Sequence, residues 1–193
     1  MAVTKARILF PSTRTAHRDS IRVSGNKSVS IVCETRSSNS PYMESVTCGR
    51  TAIAASSIRP AEPHWQMVFV RQHGDARLFV VGPWSGAGLA SWAEDDDLLW
   101  IRFALGTFMP RLPARRLLDT ETVLPGAVGR SFWLDGSAWR FPDYDNAETF
   151  VGRLVRNGAL VRDPSVGAAL RTRPQELSAR TMRHRFLRAT GLT

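Results

Sequence analysis

The chain has 193 residues, 43% of them hydrophobic and 22% charged, and a net charge of +9. That length can bury a core of its own and suits one domain plus a smaller unit, or two small domains. The composition excludes a low-complexity or disordered chain, and no apolar run approaches the length that spans a bilayer. Two cysteines, Cys33 and Cys48, exclude a disulfide framework or cysteine metal cluster and fit free thiols in a reducing compartment. The apolar run after Lys5 and Arg7, Ile8-Leu9-Phe10, is too short for a signal-peptide core. The expectation is a soluble, cytoplasmic protein with no membrane partner.

The charge is uneven. Residues 1–50 carry eight basic and three acidic side chains, residues 51–150 nine and twelve, and residues 151–193 nine and two. A neutral or acidic middle joined to a basic C-terminal stretch is the asymmetry of a folded body attached to a nucleic-acid-binding segment.

Residues 1 to about 40 are rich in Ser, Thr and Arg with no sustained period. They are expected to be poorly ordered apart from a short strand at Ser28–Cys33, and Ser37–Pro41 is loop chemistry. Met43 lies close to where organised sequence begins, so part of this stretch is expected to come from a start codon assigned too far upstream. From Ile53 to Phe108 the texture is β. Trp65, Met67 and Phe69 alternate with Gln66, Val68 and Val70, which predicts a half-buried strand. His73-Gly74-Asp75 supplies a turn and Leu78–Val81 the returning strand. Gly82, Pro83, Gly86 and Gly88 break the chain into a loop, and Glu94–Asp97 is an acidic turn leading into a strand at Leu98–Phe103. Short strands with Gly and Pro between them predict a small sheet or barrel, a cupin-like roll in the preferred version.

After Pro110 the pattern changes. Leu112–Asp119 reads as a short amphipathic helix carrying Arg115-Arg116. Phe132-Trp133-Leu134 and Trp139-Arg140-Phe141 flank Asp135-Gly136 and supply aromatic packing. Asp145 is the expected cap of a helix with Glu148 at N3, buried face Ala147, Phe150, Val151 and Leu154, and a stop at Gly158. Asp163-Pro164 opens another helix with Val166, Ala169 and Leu170 inward. Pro174 resets the chain, and Gln175–Leu177 is at most one turn. Ser178 then caps a last helix that Gly191 ends. Met182, Phe186 and Ala189 recur at i, i+4 and i+7 and form its core seam. Arg180, His184 and Leu187 point away, with Arg183 and Arg188 at the borders of that face. A capped helix with a basic outer surface suits the DNA major groove; the same pattern also describes a solvated surface helix.

Enzyme chemistry is not expected. The pair Glu62-x-His64 lacks the remaining ligands of a cupin metal centre, and His17, His64, His73 and His184 are scattered. There is no phosphate loop, nucleophile elbow or C-x-x-C, so no catalytic residue, metal or cofactor is assigned. Trp65, Trp84, Trp92 and Trp100 are candidates to line an apolar pocket for a small effector, or they fill the core of a small sheet.

The last helix and its flanks, Ser178-x-Arg180-Thr181-Met182-x-x-x-Phe186-x-x-x-Thr190-Gly191-Leu192-Thr193, resemble the end of the first helix-turn-helix of AraC/XylS-family bacterial transcription regulators. Ser131–Tyr144, Asn146–Val155, Arg162-Asp163-Pro164, Pro41-Tyr42-Met43-Glu44 and Ile58–Val70 are similar to a branch of that family with a β-rich N-terminal sensor. The likeness spans roughly residues 40–193. It implies an α+β chain: a poorly ordered segment 1–40, a β-rich cupin-like sensor 41–110, and a helical completion and connector 111–160. An incomplete helix-turn-helix follows over 161–193. It also implies operator DNA, a small-molecule effector and a second copy of the chain as partners. The family's base-reading positions fall on Arg180, Arg183 and His184, its phosphate contacts on Arg188 and Thr181, and its core positions on Met182 and Phe186.

Two departures stand out. The scaffold helix before the turn is shortened to Pro174–Leu177, and the family's second helix-turn-helix would lie beyond Thr193. The chain is therefore expected to be truncated, and to bind DNA weakly, electrostatically and with steep salt dependence. A reading from another class is a stand-alone cupin-like small-molecule-binding protein whose basic tail is incidental.

Overall fold

The structure, a computed structural model, describes residues 18–20, 31–127, 130–170 and 177–191. Alternating side chains between Cys33 and Phe103 feed two separate clusters, and this sets the architecture. In chain order the first strands are β1 (Arg18–Ser20), β2 (Ile31–Ser37), β3 (Met43–Thr51), β4 (Ala55–Arg59) and β5 (Gln66–Gln72). They are followed by β6 (Asp75–Val81), β7 (Gly88–Trp92), β8 (Asp97–Phe103) and β9 (Thr107–Phe108). A short helix α1 (Ala114–Leu117) precedes β10 (Glu121–Leu124), β11 (Gly126–Ala127), β12 (Ser131–Leu134) and β13 (Ser137–Arg140). The chain ends in α2 (Ala147–Arg156), β14 (Val161–Arg162), α3 (Pro164–Leu170) and α4 (Ala179–Thr190). The protein is thus β-rich with few helices. Its largest sheet is antiparallel, in the order β1-β2-β3-β8-β5-β6-β10. Smaller sheets pair β4 with β7, β9 with β14, and β11, β12 and β13 with one another. No helix among the described residues is long and apolar enough to cross a membrane.

The strand around Trp65–Val70 is buried on both faces, which corrects the half-buried expectation. Met67 and Phe69 join one cluster with Val46, Leu99, Ile101, Phe132, Phe150 and Leu154. Val68 and Val70 join a second with Phe79, Trp84, Ala90, Trp92 and Trp100. The β4–β7 ribbon covers that second face, and a single sequence gives no sign that a partner ribbon waits across the core. In the ribbon Ala90 and Trp92 turn inward while Ile58 and Leu89, paired across the strands, stay exposed.

Turn chemistry behaves as residue type dictates. His73-Gly74 and Asp135-Gly136 both take positive φ (49° and 91°, 52° and 74°), the two-residue hairpin geometry that matches strand twist. Before residue 40, β2 at Ile31–Ser37 overlaps the end of the expected strand at Ser28–Cys33, runs on beyond it, and pairs with β3. Residues 28–30 lie outside the described residues, as do His17, Pro174, Gln175, Leu192, Thr193 and the side chain of Leu170. Met43 is buried within β3. The stretch 111–160 is less helical than expected: α1 has only four residues, and β10 joins the main sheet beside β6. The α2 face of Ala147, Phe150, Val151 and Leu154 is buried as its period predicts. Its N-terminus differs, since Asn146 rather than Asp145 occupies the cap and exchanges bonds with Asp143. Glu148 instead takes two bonds from the Arg36 guanidinium, tying α2 to β2.

One glycine fixes how closely the β6–β7 loop approaches α1. A Cβ at Gly82 would overlap the Leu117 carbonyl. Gly82→Ala is therefore expected to destabilise the fold by about 1–3 kcal/mol, the usual cost of overpacking. Gly86→Ala, whose Cβ meets nothing, should cost less than about 0.5 kcal/mol. Urea denaturation of the two variants checks the difference.

Candidate functional site

The last helix forms where its caps place it, and of the expected seam Phe186 and Ala189 join an apolar cluster while Met182 lies outside it. The Ser178 hydroxyl accepts from the Thr181 amide at 3.2 Å. Gly191 closes the helix at φ 74°, its N–H donating to the Leu187 carbonyl. Arg180, Thr181, Arg183, His184 and Arg188 are exposed, Met182 and Phe186 half-buried, and Ala189 and Thr190 buried. Phe186 and Ala189 pack with Phe108, Val161 and Val166. Arg185 donates to the Ser165 hydroxyl at 2.8 Å and lies 3.6 Å from the Asp163 carboxylate, binding α4 to the start of α3. Arg188 sits 5.0 Å above the Phe108 ring, so its guanidinium is partly held by the protein itself. Thr181 shares a 2.9 Å bond with the Ser178 hydroxyl.

The C-terminal end of α4 is wedged against α1. A Cβ at Gly191 would lie 2.8 Å from the Ala114 carbonyl and 2.9 Å from the Arg115 nitrogen. Beside this contact Pro113, Arg115, His184, Leu187 and Arg188 enclose a cavity of about 200 Å³. Both sides of α1 are thus occupied by glycine contacts, Gly82 at its end and Gly191 at its start. The β6–β7 loop is further tied to the residues after α1. Gly82 N–H donates to the Thr120 carbonyl at 3.0 Å and Asp119 N–H to the Pro83 carbonyl at 2.8 Å. The Ser85 amide and hydroxyl both donate to the Asp119 carboxylate, at 2.7 and 2.8 Å. These donors hold that carboxyl below its ordinary range.

The four candidate tryptophans are divided. Trp65 belongs to the first cluster, stacked on Phe103 at 3.9 Å with its N–H donating to the Thr107 carbonyl. Trp84, Trp92 and Trp100 come together in the second. Sequence reasoning missed two polar residues beside them. Arg59, 3% exposed, lays its guanidinium 3.3 Å over the Trp84 ring, beneath Gly88. Gln66, 1% exposed, shares the face of Val68 and Val70 by strand alternation. Its carboxamide nitrogen and oxygen, and the indole N–H groups of Trp84 and Trp92, are buried without a hydrogen-bond partner among the described residues. Such groups in a native interior call for an ordered water or a ligand. The sequence signal was faint: a lone Gln in an apolar strand and a lone Arg before a Pro.

At one end of this interior Glu62 and His64 are part of a chain of polar contacts with Glu44 and Arg102. The His64 ring nitrogens lie 2.6 Å from Glu62 and 3.1 Å from Glu44, and Glu62 is 2.9 Å from Arg102. Glu62 is also backbone-paired with Trp84 in both directions. Burial pushes the Glu62 carboxyl upward, but the His64 bond and the Arg102 charge outweigh it, and the net shift is down. Among the thiols, burial raises Cys33 to about 12 and also raises Cys48; both are free. No protein family, curated protein or solved structure matches the chain.

The Glu62 shift has a pH consequence. A carboxyl depressed in the folded state contributes stability in full above its unfolded value, about 4.3, and loses it as pH falls through the folded value. Denaturation midpoints followed from about pH 6 to about pH 3 should fall less steeply for Glu62→Gln than for the unaltered chain.

Proposed function

We propose that the chain is a DNA-binding transcription regulator of the bacterial AraC/XylS type, acting in the cytoplasm. In this reading α4 reads the major groove, and the β-rich part is a cupin-like sensor. The observation that carries the reading is α4 itself. It is capped at both ends and anchored through Phe186, Ala189 and Arg185, and it leaves Arg180, Arg183 and His184 exposed, His184 at the rim of the cavity beside α1. Arginine is the side chain best shaped for bidentate bonds to guanine, and exposed arginines on a supported helix can enter the groove without cost to the core. With Asp163 and Ser165 holding Arg185, α3 takes the role of the helix that supports α4.

The interior around Trp84, Trp92 and Gln66 is the proposed effector site. Its polar atoms without partners ask for acceptors and donors from a bound molecule, and the indole and Arg59 surfaces offer flat contacts. Occupancy would reach α4 through α1, which touches the Trp84 loop at Gly82 and the reader helix at Gly191. The same buried polar atoms favour a second reading, a small-molecule-binding protein without DNA function; DNA binding separates the two.

The test is fluorescence anisotropy of the whole chain on DNA from upstream of its own gene, against a scrambled duplex. The whole chain should bind weakly and lose affinity steeply with added salt. In a protein carrying both of the family's helix-turn-helix units, Arg183→Ala should weaken binding to the upstream DNA by about ten-fold or more, with a smaller loss on the scrambled duplex. Equal affinity of the unaltered chain and an Arg180→Ala/Arg183→Ala variant for the upstream DNA would contradict the assignment.

A further inference from the structure

We propose that the cleft between α2 and the β12–β13 hairpin is a binding site for a small, multiply charged anion carrying phosphate groups. The cleft has a volume of about 660 Å³ and brings three guanidinium-bearing side chains into one concavity from three parts of the chain. Arg130 precedes β12, Arg140 ends β13, and Arg153 lies on α2. On α2 the positions 146, 149, 150 and 153 recur at helical spacing, so Asn146, Thr149 and Arg153 share the stripe that faces the hairpin. Phe141 and the buried Phe150 add apolar surface to it.

The charge in this cleft is unbalanced. Asp143 is its one acidic residue, and that carboxylate accepts the Asn146 amide at 2.9 Å. Among the described residues neither Arg130 nor Arg140 makes an ion pair. Arg153 lies 5.6 Å over the Trp139 ring, which positions its guanidinium without neutralising it. Like charges gathered in a concave, partly apolar setting repel one another, and an anion placed among them removes that penalty and gains charge-assisted bonds. Guanidinium forks suit the tetrahedral oxygens of phosphate, and Asn146 and Thr149 supply neutral donors beside them. The volume is that of a small-molecule site. The site does not depend on α4 or on the tryptophan interior, and so stands apart from the proposed DNA reading.

The experiment is calorimetric titration of the whole chain with inorganic pyrophosphate at low ionic strength. Binding is expected, and Arg130→Gln/Arg140→Gln should weaken it about ten-fold or more at an unchanged thermal midpoint. Arg115→Gln, which removes one charge outside the cleft, should leave it within about two-fold. The phosphate can come from a free metabolite or from a nucleic-acid backbone, and a DNA arm separates these. Unchanged duplex affinity in the double variant supports the small-anion site; loss of duplex affinity by the same factor would assign these arginines to the nucleic-acid backbone and overturn it. No pyrophosphate binding, or equal weakening by Arg115→Gln, would overturn the proposal.

Discussion

The closeness of two backbone segments to α1 is the constraint on which the arrangement of this protein depends. Gly82 passes the Leu117 carbonyl and Gly191 passes Ala114 at distances that no Cβ would allow. Between them lies a helix of only four residues, too short to be stable by its own hydrogen bonds. Its neighbours therefore hold it: the β6–β7 loop with its bonds to Asp119 and Thr120 on one side, and the end of α4 on the other. The loop carries Trp84 into the second cluster and α4 carries the exposed arginines. What touches one end of α1 is thus in mechanical contact with what touches the other.

The central strands supply the second feature. With both faces of β5 and β8 buried, the sheet separates an apolar cluster from one that mixes tryptophans with Arg59 and Gln66. Polar groups are costly in such surroundings unless partnered. Glu62 and Arg102 satisfy each other at the edge, reinforced by His64 and Glu44. The Gln66 carboxamide has no such arrangement among the described residues. The first cluster is apolar but for groups that find partners, while the second keeps the Gln66 carboxamide and the Trp84 and Trp92 indole N–H groups without one among the described residues.

Local features were legible in the sequence and distant ones were not. Ser178, Gly191 and the Met182–Phe186–Ala189 seam announced α4, because caps and helical period depend on neighbours within one turn. The α2 face was legible for the same reason, yet its cap was misplaced by one residue. Asp145 and Asn146 are equally good cap types, and in the fold Asn146 holds the cap position while its side chain and amide pair with Asp143. The ribbon over β5 was invisible, since nothing in Ala55–Arg59 or Gly88–Trp92 says which face it will cover. The division of Trp65 from Trp84, Trp92 and Trp100 follows from strand alternation combined with that unseen cover. Gln66 stood on the alternate face of a strand expected to be half-buried, and nothing local marked Arg59 for burial. The three-arginine cleft needed α2 and the hairpin side by side, a juxtaposition no local pattern encodes.

The most direct measurement is amide hydrogen exchange on Asp119→Gly. Glycine keeps the positive φ of this position, 55°, and removes the carboxylate that staples Ser85. If the Trp84 loop and α4 share α1 as their support, exchange should quicken at residues 82–88 and, in the same variant, at Leu187–Gly191. Faster exchange in the loop with α4 unchanged would show that the two ends of α1 are independent, and would contradict the account.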